Sequence, residues 1–291
     1  MTENAVEIRG LEKSFPRFHL GPLDMTVKKG AVYGLIGPNG AGKTTTLDLI
    51  MGMGRKDKGE IRILGLDHLK DEVEMKRRVG YVSPDLDFES WGRVQRVVSF
   101  IRGFYSNWDD DYCRNLIESL KLPWKEKVSN LSFGNKIKLA LVLGLSHRPE
   151  VLLLDEPFVG LDAVSKKQIF NEILSVVQDE ERTVVISSHN LSDLERFSDH
   201  FGLIKEGRMI LEGSTADLLD RYRMVEFTTQ NGTALEPAPG FHPQTTADHR
   251  RQALLDIETF PPSRLTDMGA TDIVESRVTL EELFVALVGE G

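Results

Sequence analysis

The octapeptide Gly37-Pro38-Asn39-Gly40-Ala41-Gly42-Lys43-Thr44 decides how this sequence is read. It fits the pattern G-x-x-x-x-G-K-[ST], and its surroundings fit as well. The apolar run 31–36 reads as a buried parallel strand, and 44–51 reads as a helix. Glycines let successive backbone N–H groups turn inward around phosphate oxygens, where a Cβ would block the approach. Lys43 would reach the β- and γ-phosphates and the Thr44 hydroxyl would sit on Mg²⁺, with the helix N-terminus aimed at the same negative charge. Pro38, Asn39, Ala41 and Thr45 belong to the same candidate nucleotide-binding set.

Working outward, strand, loop and helix in that order make a βαβ-type core. Upstream, 6–9 and 23–27 alternate as strands, and downstream 60–64 reads as another. From about 85 to 145 the strand signals stop, and 94–105, 109–121 and 134–145 carry helical spacing. Sheet signals return at 151–154 and 183–186, with an amphipathic helix over 163–178 between them and a hairpin at 201–205 and 208–212. Val151-Leu152-Leu153-Leu154-Asp155-Glu156-Pro157 delivers two adjacent carboxylates at the C-terminal end of a buried strand, where open α/β sheets bind ligands. Asp155 is the candidate magnesium ligand through water, and Glu156, pointing the other way, is the candidate general base. Beyond 222–225 the chain turns polar and has a Pro-rich piece at 235–243 that reads as a linker. Strands are expected at 253–258 and 272–278, and Thr279 with Glu282 forms a capping box that opens a last helix through Val288.

Three further stretches narrow the class. Leu131-Ser132-Phe133-Gly134-Asn135 resembles the signature motif of ATP-binding cassette (ABC) proteins, Phe158-Val159-Gly160-Leu161-Asp162 resembles their D-loop, and His189 stands where they carry a switch histidine. Order and spacing agree over about residues 5–220, so the chain is identified as resembling an ABC ATPase subunit. The resemblance implies an α/β fold: a RecA-like P-loop NTPase core with an antiparallel β subdomain and an inserted helical subdomain. It implies a nucleotide-binding domain over 1–222 and a small α/β accessory domain over 223–291. It also implies two cassettes packed head to tail, with Ser132, Gly134 and Asn135 meeting the γ-phosphate held by the other copy. Asp162 would couple the sites, His189 would touch the γ-phosphate, and Phe15 would stack on adenine. Two departures stand out. Phe133 and Asn135 replace the usual glycine and glutamine of the signature, and Gly80-Tyr81-Val82-Ser83-Pro84-Asp85 lacks the glutamine that the family uses as a magnesium ligand, which leaves Pro84 or Asp85 in its place. That loop normally touches the membrane partner.

The ending Val278-Thr279-Leu280-Glu281-Glu282-Leu283-Phe284-Val285-Ala286-Leu287 resembles the tail of ATPases serving ABC-2-type exporters, and Phe104-Tyr105-Ser106-Asn107-Trp108-Asp109 is similar to a bacterial branch with separately encoded permeases. These resemblances imply an ATP- and Mg²⁺-dependent motor, cytoplasmic and peripheral on the inner face of the cell membrane, working with a permease and a second cassette, identical or related. The alternative is a soluble ABC ATPase of translation or DNA repair. A base-reading Asn-Lys-x-Asp element is absent, since Asn135-Lys136-Ile137-Lys138 fails at the aspartate, which argues against a GTPase. Composition bounds the rest. The 291 residues suggest about two domains. Basic residues number 36 against 45 acidic, a net charge of −9, which argues against a nucleic-acid surface. The single Cys113 allows no internal disulfide, and no apolar run is long enough to span a bilayer.

Overall fold

The computed structural model describes residues 3–178, 182–195, 198–229, 235, 238–244 and 250–289. The chain forms two compact units, Met1–Glu212 and Gly213–Gly291.

The first unit contains two sheets. β1 (Asn4–Phe15) and β2 (Phe18–Lys28) make a hairpin in which Phe15 pairs with Phe18. β3 (Val32–Ile36) lies in the other sheet and leads into α1 (Lys43–Ile50). β4 (Lys58–Ile63) and β5 (Leu66–Asp67) complete the antiparallel sheet in the order β2-β1-β4-β5. Along β2 the buried Leu23, Met25 and Val27 alternate with exposed neighbours, as a sheet with one core face demands.

The second sheet adds β6 (Val79–Val82), β7 (Val151–Leu154), β8 (Thr183–Ser188), β9 (His200–Lys205) and β10 (Arg208–Ser214) in the order β10-β9-β3-β8-β7-β6. β9, β3, β8, β7 and β6 run parallel. Every residue of β3, β7 and β8 is buried, which explains the apolar runs at 32–36, 151–154 and 184–186. α2 (Glu72–Arg78) and β6 are not expected from sequence: α2 buries only Met75, and β6 is four residues long and interrupted by Gly80. The helical stretch contains α3 (Val94–Arg102), α4 (Asp110–Ser119) and α5 (Phe133–Leu145), and α6 (Ala163–Val177) connects β7 to β8. Side-chain caps set three of these starts: Asp109 accepts from Tyr112 N–H, Ser132 from Asn135 N–H, and Asp162 from the N–H groups of Val164 and Ser165.

The second unit begins at Gly213, ahead of the expected boundary at 222/223, because Ser214 caps a helix, α7 (Thr215–Arg221), that leads straight into β11 (Tyr222–Thr229). Its sheet is antiparallel in the order β12-β13-β11-β14, with β12 (Phe241–Gln244), β13 (Arg251–Asp256) and β14 (Ala270–Arg277). β12 overlaps the stretch read as a linker, of which 236 and 237 lie outside the described residues. α8 (Ser263–Asp267) and α9 (Leu280–Val288) accompany the sheet, and Thr279 and Glu282 form the expected capping box. Phe227, Phe241, Phe260, Leu255 and Leu265 make a separate core. Among the described residues no helix is long and apolar enough to cross a membrane.

Two histidines of the first unit set an acid limit on stability. His68 and His147 are each 1% exposed; among the described residues, both ring nitrogens of His68 and the Nδ1 of His147 lack a hydrogen-bond partner. Burial holds both below the ordinary value of 6.5. The unfolded chain therefore takes up protons at a higher pH than the folded one. Their contribution is fully present above about pH 6.5 and is lost as pH falls through the folded values. The thermal midpoint is expected to drop between pH 7 and pH 5. In His68→Leu, which removes one of these buried rings, melting curves across that range should show a shallower decline.

Candidate nucleotide site

Three adjacent parallel strands, β3, β8 and β7, end at one place, and the expected residues stand at those ends. β3 runs into the glycine loop, where Gly42 adopts φ 110° at the N-terminus of α1, a conformation that a residue with a Cβ would resist. The Lys43 side chain, almost fully buried, folds back to donate to the carbonyls of Gly37 at 2.7 Å and Pro38 at 3.1 Å. It also pairs with Glu156 Oε1 at 3.1 Å. The other carboxylate oxygen of Glu156 is 2.8 Å from His189 Nδ1. Glu156 itself is held at φ +43°, a conformation uncommon for a non-glycine residue.

Asp155 is 1% exposed, and Ser187 joins the two acids. The Ser187 hydroxyl donates to Asp155 Oδ1 at 2.6 Å and accepts from the Glu156 N–H at 2.9 Å. Burial raises the pKa of Asp155, and the Ser187 and Thr44 hydroxyls oppose that rise while the Glu156 and Asp48 charges add to it. Sequence reasoning missed Ser187. Its signal was the pair Ser187-Ser188 ending an otherwise apolar strand, directly ahead of His189.

A cavity of about 610 Å³ opens over these groups, lined by Asn39, Gly40, Gly42, Lys43, Thr44, Thr45, Glu156 and His189. Its remaining wall is Arg17, Phe18 and Val159, and Phe15 is not part of it. The tight hairpin turn puts Phe15 and Phe18 opposite each other with ring centroids 6.2 Å apart, and Phe18 is the one that meets Gly42. Asp85 stands on the loop that follows β6. It is exposed, its N–H donates to Ser83 Oγ at 3.2 Å, and among the described contacts it has none to Thr44 or Asp155. Nearer the loop, Asp48, one helical turn beyond Thr44, accepts from Tyr81 Oη at 2.8 Å.

Ser132, Gly134 and Asn135 do not line this cavity; they form the start of α5, with Ser132 exposed. Asp162 caps α6, and backbone donors led by Ser165 N–H hold its carboxyl below the usual range. Four features therefore converge in one chain: a phosphate cradle, a lysine, a carboxylate beside a histidine, and a buried aspartate next to a threonine hydroxyl. The signature turn stands apart from them.

The ABC transporter family profile matches residues 20–159. The chain is 30% identical over 222 residues to the ABC transporter ATP-binding protein YtrB of Bacillus subtilis, covering 76% of each. It is 34% identical over 222 residues to the Nod factor export ATP-binding protein I of Burkholderia lata, covering 74% of this chain and 72% of that one. Among solved structures it matches CbiO1 of Clostridium perfringens, part of the ABC transporter complex CbiONQ, at 25% identity. That match has a TM-score of 0.61 over 75% of this chain and 92% of the other.

Proposed function

From the premise that this chain belongs to the ATP-binding proteins of ABC transporters and is an ATPase, we propose that it is the motor of an exporter. Two cassettes close head to tail on two Mg-ATP, and the closure drives a separately encoded permease from the inner face of the membrane. The observation that carries the chemistry is the Lys43–Glu156–His189 chain of contacts inside the cavity. Incoming phosphate oxygens compete with Gly37 O, Pro38 O and Glu156 for the lysine. Once Lys43 turns to the phosphate, the Glu156 carboxylate is released to accept a proton from the attacking water, with His189 holding its other oxygen. The Ser132 hydroxyl and the N–H groups at the start of α5 then supply donors for the γ-phosphate of the other copy. Thr44 and Asp155 fit a magnesium ion: a hydroxyl and a buried carboxylate face one another at the mouth of the loop, and Ser187 orients the acid. The ion would offset charge on the β- and γ-phosphates. The sequence relative in Nod factor export supports the outward direction.

A surface for the permease lies beside the loop that lacks the glutamine. A groove of about 250 Å³ runs between Met53, Tyr81, Phe88, Ile101 and His147. At its lip Trp91, Phe100 and Phe104 form an exposed edge-to-face row with centroids 4.5 and 5.1 Å apart. The test is affinity capture of the tagged protein from gently solubilised native membranes, followed by mass spectrometry. A polytopic permease is expected at near-stoichiometric yield. Phe100→Glu/Phe104→Glu should reduce that yield by about tenfold, since apolar anchors dominate such interfaces, while nucleotide affinity stays within about twofold. Recovery of ribosomes or DNA in place of a permease would overturn the transporter reading.

A further inference from the structure

We propose that Phe133 and Lys138 are positioning residues that fix the signature turn to this chain's own D-loop, so that the two segments facing a second cassette move as one body. The proposal rests on the head-to-tail reading above, and it turns on two features that reading leaves unused: an aromatic residue where the family has glycine, and a buried cation.

Phe133 is 43% exposed, yet one side of its ring is occupied. It lies against Gly160, the residue of the D-loop that adopts φ +64°; a Cβ there would stand 3.3 Å from the ring. The next residue continues the contact. Gly134 is buried against α6, where a Cβ would meet Ser165 Oγ at 3.1 Å. Ser165 Oγ in turn donates to Asp162 Oδ2 at 2.7 Å, and Asp162 caps α6. Further along α5, Lys138 is only 5% exposed and its Nζ donates to Gln168 Oε1 of α6 at 2.7 Å. Burial lowers the pKa of Lys138, and the charge of Asp162 opposes that shift, so the amine stands within electrostatic reach of the D-loop. A buried cation hydrogen-bonded to a neutral amide is a costly way to join two helices if packing were its whole purpose. Here it joins α5 to the helix that Asp162 caps, while Phe133 packs against Gly160.

The consequence is kinetic. With the two segments joined, the donors at the start of α5 and the Asp162 loop reach the other copy's nucleotide in one movement. Without the contacts each must find its place separately, and a misplacement of about 1 Å costs one to two orders of magnitude in rate. Nucleotide binding to the single chain does not pass through these residues.

The experiment compares Phe133→Gly, Phe133→Tyr, Lys138→Met and Lys138→Arg in the full chain. Readouts are steady-state hydrolysis, fluorescent-nucleotide affinity and thermal melting. ATP-dependent dimerisation is read in a Glu156→Gln background. Phe133→Gly and Lys138→Met are expected to lower kcat by about tenfold and to raise the ATP needed for half-dimerisation, and with it KM, by a similar factor, while nucleotide affinity of the single chain stays within about twofold. Tyr and Arg, which keep the ring and the charge, are expected to recover most of kcat. Wild-type kcat and dimerisation in Phe133→Gly overturn the proposal, and so does a parallel fall of melting temperature, affinity and kcat, which marks a packing role only. If the Glu156→Gln reference itself fails to dimerise with ATP, the head-to-tail reading falls and takes this proposal with it.

Discussion

Glu156→Gln is expected to bind ATP as tightly as the parent, or more tightly, and to hydrolyse it about 10²- to 10⁴-fold more slowly, the range a positioned general base contributes. The substitution keeps the size and the hydrogen-bonding reach of the side chain while removing its capacity to take a proton. The geometry argues that binding survives. Lys43 is shared between two loop carbonyls and the Glu156 carboxylate at 3.1 Å. Neutralising that acid removes a competitor for the lysine and leaves it freer to meet a phosphate. His189, 2.8 Å from the other oxygen, keeps a partner in the amide. Hydrolysis and fluorescent-nucleotide titrations on the same preparation check both arms. Turnover within a few-fold of the parent would remove Glu156 from the role of base and leave the water to another group.

Much of this site could be read from the sequence because its parts are local. The loop from Gly37 to Thr44 needs its glycines at fixed places within one short segment, and the buried β7 can present Asp155 and Glu156 only at its end. What the sequence hides is pairing between distant segments. Nothing in the linear order puts Lys43 on Glu156 or the Ser187 hydroxyl between two acids; those contacts exist because β8 lies between β3 and β7. Short or mixed strands are hidden for another reason. β6 carries Gly80 within four residues, and β12 contains His242 and Pro243, so neither shows a period. Phe15 shows what a hairpin conceals. Both Phe15 and Phe18 flank the same two-residue turn, and periodicity does not say which of them meets Gly42. The boundary at Gly213 escapes the sequence because α7 is short, and its tie to the second core is an Arg221 guanidinium that grips Asp256 with bonds of 2.9 and 2.6 Å.

Mixing two inactive variants should restore activity, and this result tests the composite site directly. Lys43→Ala removes the phosphate-binding lysine, and Ser132→Arg places a bulky cation at the start of α5, so a dimer of either one has two defective sites. In a mixed dimer the Ser132→Arg copy still offers an intact cavity, and the Lys43→Ala copy still offers an intact signature turn. One complete site forms, and the other carries both defects. Equal mixing of freely exchanging two-fold dimers gives about half mixed species, each with one of two sites, so turnover should return to about a quarter of the parent value. Ser132 is exposed, and losing its cap on α5 costs about 1 kcal/mol, small enough for the variant to fold and for melting curves to verify that it has. Complementation of this kind is open to the chain because the signature turn is not among the residues lining its own cavity. Recovery toward a quarter requires that each chain complete the site of another. No recovery from two well-folded variants would mean that this chain pairs with a different cassette or closes its site alone.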